Sequence, residues 1–255
     1  MASFGDHTVP TYDEHSDVQF QHGVKMISEH LKLQPGERVL DLGCGTGRLS
    51  MELLTRVGSG GTVIGLDPNE ERILAAQAKV SEEMNNLAFI HGMCSDAVGL
   101  GPFDAVFSNY VMHWIHDHPT TFKQLFDCLK PGGRLVFLTA GSKLPTLLES
   151  TIKLATGQDC CTLLGITTGS VDYWESQCVN AGLSVEFSED LVLCPKMPSI
   201  EAFFKAVSAV SSGVFKSSML TEQNIRDLCD RHGFRRNSEI VVEMPVVKIL
   251  AKKLE

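Results

Sequence analysis

The sequence predicts an α/β fold, namely a doubly wound and mostly parallel sheet of seven strands with helical cap insertions. Two observations carry this prediction. A short apolar run ending at Leu42 leads directly into glycines spaced G-x-G-x-G, the pattern of a strand, a tight turn and the start of a helix. Strand-like and helix-like stretches then alternate along the chain, which is typical of a parallel sheet covered by helices.

The individual elements follow from the spacing of the apolar residues. The seven expected strands cover residues 39–42, 61–67, 87–90, 103–107, 134–138, 184–193 and 246–251. Helices are expected at residues 24–31, 70–80, 120–129, 144–154, 171–181, 199–210 and 221–232. The residues Lys130-Pro131-Gly132-Gly133 are expected to form a turn that ends one helix and leads into the next strand.

The glycines at positions 43, 45 and 47 and two acidic residues predict a nucleoside site. Glycine suits a turn that needs positive φ angles and a ligand that lies against the backbone. Asp67 ends the second strand and Asp96 follows the third, so both should reach the carboxyl edge of the sheet. The Asp67 carboxylate could accept hydrogen bonds from both ribose hydroxyls, and the Asp96 carboxylate could accept one from an adenine amino group.

The stretch 108–119 follows the fourth strand and should therefore line the reaction centre. Trp114 offers an N–H donor and a broad face that can shield a reaction from water. His113 could act as a general base, orient a substrate or pack in the core. His116 and His118 are expected to be solvated at a helix entry, because the motif does not supply the further ligands of a metal site.

Composition and charge limit the classes of function. A net charge of −9 argues against a nucleic-acid partner and against an anionic membrane surface. No apolar run approaches the ~20 residues of a membrane span, and the first residues lack a signal-peptide pattern, so we expect a cytoplasmic protein. The eight cysteines lack paired C-x-x-C spacing and are expected to be free thiols.

Two motifs resemble a known family. D-L-G-C-G-T-G and L-K-P-G-G-R-L resemble the first and late motifs of class I S-adenosylmethionine-dependent methyltransferases, which have a Rossmann-like core. The segment from Tyr12 to Gln19, the stretch F-S-N-Y-V-M-H-W-I-H-D and the apolar cap are similar to the branch that contains juvenile hormone acid and trans-aconitate methyltransferases.

The resemblance implies S-adenosyl-L-methionine as the cofactor and no metal. The cofactor contacts that we expect are Tyr12, Asp41, Gly43, Cys44, Gly45, Asp67, Pro68, Ser95, Asp96, Ala97, Ser108 and Asn109. Gln19, His113 and Trp114 would hold the methyl acceptor. In the hormone-acid enzymes, a glutamine and a tryptophan at the positions matching Gln19 and Trp114 hold the carboxylate of the substrate.

These expectations favour methylation of a carboxylate oxygen on a small-molecule acceptor with an apolar body. The protein itself is expected to be a monomer or a homodimer. A carboxylate is already a nucleophile, so the protein needs to supply placement rather than a base. Methylation of an amine or imidazole nitrogen stays open, because His113, Asp13 or Glu14 could serve as the base. A non-catalytic cofactor-binding protein, a nicotinamide-dependent oxidoreductase and arsenite methylation are further alternatives.

We expect one methyltransferase domain over residues 1–255. Within it, residues 1–32 would form an N-terminal helical cap, 33–142 the cofactor-binding core, 143–183 and 195–243 the substrate-cap insertions, and 184–194 and 244–255 the final strands. The cap sequence is rich in phenylalanine and valine, which suits an apolar wall of a pocket.

Overall fold

A computed structural model describes Asp13, residues 16–211 and residues 214–255. The strands are β1 (Arg38–Leu42), β2 (Thr62–Asp67), β3 (Leu87–His91), β4 (Phe103–Asn109), β5 (Leu129–Ala140), β6 (Leu183–Leu193), β7 (Lys196–Met197), β8 (Ile240–Val241) and β9 (Met244–Lys253). Seven of them form one sheet in the order β3-β2-β1-β4-β5-β9-β6, and β7 pairs with β8. The first five strands of the large sheet are parallel, while β9 runs antiparallel to β5 and β6. The predicted doubly wound, mostly parallel, Rossmann-like fold is therefore confirmed.

Most of the helices lie close to their expected positions, whereas the two short helices at residues 97–100 and 160–164 were not predicted. They are α1 (Asp17–Met26), α2 (Arg48–Val57), α3 (Glu70–Gln77), α4 (Ala97–Leu100), α5 (His118–Cys128), α6 (Thr146–Thr156), α7 (Cys160–Leu164), α8 (Val171–Asn180), α9 (Ile200–Val210) and α10 (Glu222–His232). A π-helical turn, Ile27–Leu31, continues α1, and 3₁₀ turns cover Cys94–Asp96, Met112–Trp114 and Ser217–Met219. In the described part of the chain, no helix combines the length and the apolar character needed to cross a membrane.

The strand order creates a crevice beside β1. β2 lies on one side of β1 and β4 on the other, so the connections leave the strand in opposite directions. In doubly wound sheets, ligands bind where the order reverses, outside the carboxyl ends of the strands. The carboxyl ends of β1 and β4 are therefore the expected edges of a ligand site.

The expected turn at residues 130–133 lies within β5 rather than before it. The partners in β4 pass from Phe103 with Leu129 to Ala105 with Arg134, so the residues between them bulge out of the ladder. Pro131 lacks an N–H donor and Gly132 has φ +76°, which together explain why the ladder is interrupted there.

Three apolar clusters organise the fold. α1, α2 and α3 pack on one face of the sheet, and α4, α5 and α8 pack on the other. The third cluster, here named the cap cluster, joins buried residues of α6, α7, α9 and α10, including Leu147, Phe203 and Phe204. Trp174 of α8 is fully buried against the sheet and lies outside the cap cluster. The division of the chain into core and cap remains a proposal.

Candidate functional site

The glycine loop adopts a conformation that other residues rarely take. Gly43, Gly45 and Gly47 have φ angles of +73°, +55° and +81°, and Gly47 is the N-cap of α2. The Gly43 amide donates to the Leu66 carbonyl at 2.7 Å, which fixes the loop to the end of β2. A Cβ atom at position 43 would lie 2.1 Å from Cγ2 of Val111, so a side chain there would collide with the segment after β4. The loop therefore requires glycine for both its φ angles and its close approach to a neighbour.

Asp67 joins the glycine loop to the start of α3. Its Oδ2 accepts the Gly45 amide and its Oδ1 accepts the Asn69 amide, both at 2.9 Å. The carboxylate is almost fully buried at the carboxyl end of β2. Each carboxylate oxygen can accept more than one hydrogen bond, so Asp67 could still receive hydroxyl donors.

Asp41 near the end of β1 and Cys44 within the loop are largely shielded from solvent. Ser50 donates its hydroxyl to Oδ2 of Asp41 at 2.6 Å. Burial raises the pKa of Asp41 to about 7, the Ser50 hydrogen bond opposes this change, and the charge of Asp67 adds to it. Burial likewise raises the pKa of the Cys44 thiol, so it stays protonated at neutral pH. A cationic group near Asp41 would favour its charged form.

The end of β3 supplies a more open part of the edge. Asp96 is exposed, and its Oδ2 accepts the Met93 amide at 2.7 Å. Ser95 and Pro68 are also exposed, whereas Ala97 is fully buried. The Pro68 carbonyl accepts from Nε2 of His91 at 3.0 Å, which ties this region to the segment after β2. Exposed groups at this position could hold a planar base near the surface.

Asn109 ends β4 and contacts the N-terminal helix. Its Nδ2 donates to the Gln19 backbone carbonyl at 3.0 Å, so α1 crosses the carboxyl edge beside β4. Gly23 leaves room for this contact, since a Cβ there would lie 3.1 Å from Nδ2 of Asn109, closer than Cβ atoms usually approach. Ser108 is fully buried, and its hydroxyl donates to the Leu42 carbonyl at 3.1 Å. The Ser108 side chain thus links β4 to β1. Tyr12 lies outside the described residues.

His113 and Trp114 follow in the 3₁₀ turn that leaves β4. His113 is buried, its backbone N–H donates to Oγ1 of Thr139 at 3.1 Å, and its ring stands 5.5 Å from that of Trp114. Burial, with a smaller contribution from His118, lowers the pKa of His113 to about 3. Trp114 is partly buried and packs against the cap cluster. The turn therefore connects the carboxyl edge of the sheet to the cap cluster.

The expectation for His118 was wrong, whereas His116 is exposed as expected. His118 is almost completely buried, and its Nε2 donates to the Met112 carbonyl at 3.0 Å. Its Nδ1 accepts from the Tyr173 hydroxyl at 2.7 Å, because Nε2 carries the ring proton. His118 thus supports the turn that carries His113. Among the described residues, no group of three or more His, Cys, Asp and Glu side chains is arranged to hold a metal ion.

A network around Asp13 was not predicted. Its carboxylate accepts from the Thr46 hydroxyl and from Nζ of Lys79 at 2.8 Å, and its carbonyl accepts from Arg48 at 2.9 Å. The Arg48 guanidinium also pairs with Asp17 at 2.6 Å and lies over the Phe20 ring. These contacts hold the start of α1 against the glycine loop. The charges are visible in the sequence, but their partners are distant along the chain.

The residues at this edge fit the cofactor that the motifs imply. Oδ1 of Asn109 is buried and has no hydrogen-bond partner in the described part of the chain. A buried acceptor without a donor is destabilising, and the ammonium group of a methionine moiety could supply that donor. The acidic groups of Asp67 and Asp96 match the hydroxyl and amino donors of adenosine.

Comparisons with known proteins agree with this geometry. The family model described as "Methyltransferase domain" matches residues 33–180. The demethylmenaquinone methyltransferase of Lactococcus lactis is 40% identical over 117 residues, which are 44% of this chain and 44% of that protein. The trans-aconitate 2-methyltransferase of Deinococcus radiodurans is 36% identical over 102 residues, which are 40% of this chain and 37% of that protein. The chain thus spans less than half the length of either relative.

Solved structures share the fold at low sequence identity. The YcgJ protein of Bacillus subtilis has a TM-score of 0.64 at 16% identity, over 92% of this chain and 99% of that one. An S-adenosylmethionine-dependent methyltransferase from Aquifex aeolicus has a TM-score of 0.60 at 14% identity, over 98% of this chain and 100% of that one. The family match covers more than half of the chain and includes the glycine loop, both acids and the turn after β4. The chain therefore belongs to the methyltransferase domain family, within the class I S-adenosylmethionine-dependent methyltransferases.

Proposed function

We propose that this protein transfers a methyl group from S-adenosylmethionine to a carboxylate oxygen of a small molecule with an apolar body. One observation carries the choice of a carboxylate. His113, the titratable side chain in the turn after β4, has a pKa lowered to about 3 by burial. A base with so low a pKa removes protons poorly near neutral pH. The acceptor should therefore arrive as a nucleophile, as a carboxylate does.

The cofactor would occupy the carboxyl edge described above. Residues proposed to hold it are Asp41, Gly43, Cys44, Gly45, Asp67, Pro68, Ser95, Asp96, Ala97, Ser108 and Asn109. When bound, it supplies a methyl carbon on a sulfonium: the new O–CH₃ bond forms as the C–S bond breaks, the electron pair stays on sulfur, and no proton is released. The protein then needs to place the oxygen in line with this carbon, which can contribute roughly 7–11 kcal/mol.

Gln19 and Trp114 would place the acceptor oxygen. The Gln19 backbone contacts Asn109, so the glutamine lies at the same edge as the proposed cofactor site. The amide of Gln19 and the indole N–H of Trp114 are uncharged donors, which can orient a carboxylate without pairing with it as Lys or Arg would. Trp114 also borders the cap cluster, whose buried Phe203, Phe204 and Val207 suit an apolar acceptor body.

Two alternatives are less well supported by the chemistry. Methylation of an amine requires its deprotonation near neutral pH, and the low pKa of His113 makes that residue a poor base. Arsenite methylation would require reactive thiolates, but burial raises the pKa of Cys44 and Cys161, and that of Cys160 to about 12. We propose a monomer or homodimer that acts in the cytoplasm without a nucleic-acid partner.

The test is a panel of acceptors offered to the purified protein with S-adenosylmethionine. The panel pairs apolar carboxylic acids with the amines of the same carbon skeleton and includes a reduced quinone, because one similar protein is a demethylmenaquinone methyltransferase. Mass spectrometry should detect methyl esters of the acids together with S-adenosylhomocysteine. Methylation of the amines or of the quinone ring, with none of the acids, would refute the proposal.

Variants test the acceptor side separately. Trp114→Ala should lower kcat/KM for the best acid roughly 10- to 100-fold through the loss of one charge-assisted hydrogen bond and of packing. His116→Ala, at an exposed neighbouring position, should leave kcat/KM unchanged. Gln19→Ala should weaken turnover in the same way, with exposed Gln21→Ala as its control. Equal effects for a variant and its control would contradict the assigned placement.

A further inference from the structure

Thr139 lies directly beneath the turn that carries His113. It is fully buried one residue before the end of β5, and its partner across the sheet is Val247 of β9. The His113 backbone N–H donates to its Oγ1 at 3.1 Å, and the same oxygen lies 3.1 Å from Nδ1 of the His113 ring. One hydroxyl therefore contacts both the backbone and the side chain of a residue 26 positions away.

Two donors meet at Nδ1 of His113. The Ala140 backbone N–H points to it at 3.4 Å, and a peptide N–H can only donate. The Thr139 oxygen uses a lone pair for the His113 backbone, which leaves its proton free to point to Nδ1. Both contacts favour Nδ1 as an acceptor, the 3.1 Å contact from Thr139 more strongly than the 3.4 Å contact from Ala140, and in a neutral imidazole the ring proton is then on Nε2.

The Nε2 atom of His113 has no hydrogen-bond partner among the described residues, although the His113 backbone is held on both sides. Its carbonyl accepts the Thr167 amide at 2.8 Å, and its N–H is bound by Thr139. The ring is thus fixed in place, and none of the described residues accepts a hydrogen bond from its Nε2–H. The Trp114 ring stands beside it, so a second N–H donor belongs to the same turn.

We propose that Thr139 is a positioning residue that holds His113 in the Nε2–H tautomer, so that His113 offers the acceptor carboxylate a hydrogen-bond donor and does not act as a base. This inference rests on the proposed function for the identity of the acceptor. The tautomer itself follows from contacts within the protein and can be measured without any acceptor. Under this assignment the site selects acceptors that enter already deprotonated.

Nuclear magnetic resonance of ¹⁵N-histidine-labelled protein tests the tautomer directly. We expect the His113 ring to show an unprotonated Nδ1 and a protonated Nε2, with the signal assigned by its loss in His113→Gln. A protonated Nδ1 in the unmodified protein would overturn the proposal. Thr139→Ser keeps the hydroxyl and should keep the tautomer. Thr139→Val leaves Nδ1 only the longer contact from the Ala140 N–H at 3.4 Å, so the other tautomer should become partly populated beside the first.

Kinetics then test what the tautomer does. Thr139→Val should raise KM for the carboxylic acid roughly 10-fold, while Thr139→Ser stays close to the unmodified protein. The affinity for S-adenosylhomocysteine should be the same in both variants, which also shows that they are folded. An unchanged tautomer and an unchanged KM in Thr139→Val would overturn the role of Thr139.

Substitution of His113 separates a donor from a base. The amide of His113→Gln can still donate near the Nε2 position but cannot accept a proton as imidazole does, so it should retain a kcat/KM roughly 10-fold above that of His113→Ala. Equal losses in both variants would contradict the donor role. If the expected tautomer is found and no acid is methylated, the assignment of Thr139 stands and the carboxylate acceptor is refuted.

Discussion

Replacing Asp67 by asparagine tests the central carboxylate of the proposed cofactor site. Its two oxygens each accept one peptide N–H at 2.9 Å, from Gly45 and from Asn69. Asparagine has one oxygen and one NH₂ group, so one of these donors would face another donor. A buried unsatisfied donor costs about 1–3 kcal/mol, which should appear as lower stability in urea unfolding.

The same substitution should weaken cofactor binding. A hydrogen bond from a ribose hydroxyl to a carboxylate contributes about 1.5–3 kcal/mol, so its loss should raise the Kd for S-adenosylhomocysteine roughly 10- to 150-fold. Isothermal titration calorimetry measures this value directly.

Asp104→Asn is the matched control for Asp67→Asn. Asp104 also accepts a backbone amide, that of Arg38 at 2.8 Å, and it pairs with Lys130 at 2.8 Å. It stands near the start of β4, at the opposite end of the strand from Asn109. Asp104→Asn should lower stability and leave the Kd unchanged. If Asp67→Asn lost stability but bound as tightly as the unmodified protein, Asp67 would only hold the loop and the assigned cofactor contact would be wrong.

Three further perturbations address the loop, the buried acid and the N-terminal helix. Gly43→Ala should destabilise the protein by about 2–4 kcal/mol in urea unfolding, because it combines a positive φ angle with a collision at Val111. The control is Gly36→Ala, at φ +90° with open space around it, which should lose only the backbone part of about 1–2 kcal/mol. Equal losses of stability in the two variants would contradict the packing argument. The pKa of Asp41 is about 7 in the folded protein, against 3.8 for an ordinary carboxyl. Between about pH 4 and about pH 7 the folded protein therefore keeps a proton that the unfolded chain releases, so this carboxyl lowers stability as the pH rises through that range. Asp41→Asn should flatten that decline in unfolding measured across this range, and an identical pH slope in both proteins would refute the buried-acid assignment. Arg48→Ala should speed amide hydrogen exchange in α1, because it removes contacts to Asp13, Asp17 and Phe20. Lys25→Ala removes only an ion pair with Glu29 and should leave the exchange rates unchanged. The same exchange rates in both variants would show that Arg48 does not anchor the helix.

The glycine loop and the acids at the strand ends could be predicted because they depend on local rules. A G-x-G-x-G run after an apolar strand allows the positive φ angles of a tight turn, and the structure has Gly43, Gly45 and Gly47 in that region. Asp67 ends β2 and Asp96 lies in the turn after β3, as the strand lengths indicated. The family match then agreed with the motif that starts at Asp41.

Other features of the site were beyond local rules. His118 follows Asp117, the N-cap of α5, and such a position is normally solvated, yet α8 brings Tyr173 and Trp174 over its ring. The Asp13–Lys79 pair joins residues 66 positions apart, and nothing in either segment indicates the other. Such contacts depend on the order of the strands and on how helices cross them.

The amino-acid sequence alone determined the class of fold, the Rossmann-like pattern of strands and helices, and the methyltransferase motifs. It could do so because φ preferences and apolar periods act over a few neighbouring residues. Tertiary structure alone decided which donors surround His113, since Thr139 and Ala140 reach its ring only when β5 lies beside β4. It also lowers the pKa of this histidine, because the folded chain buries the imidazole.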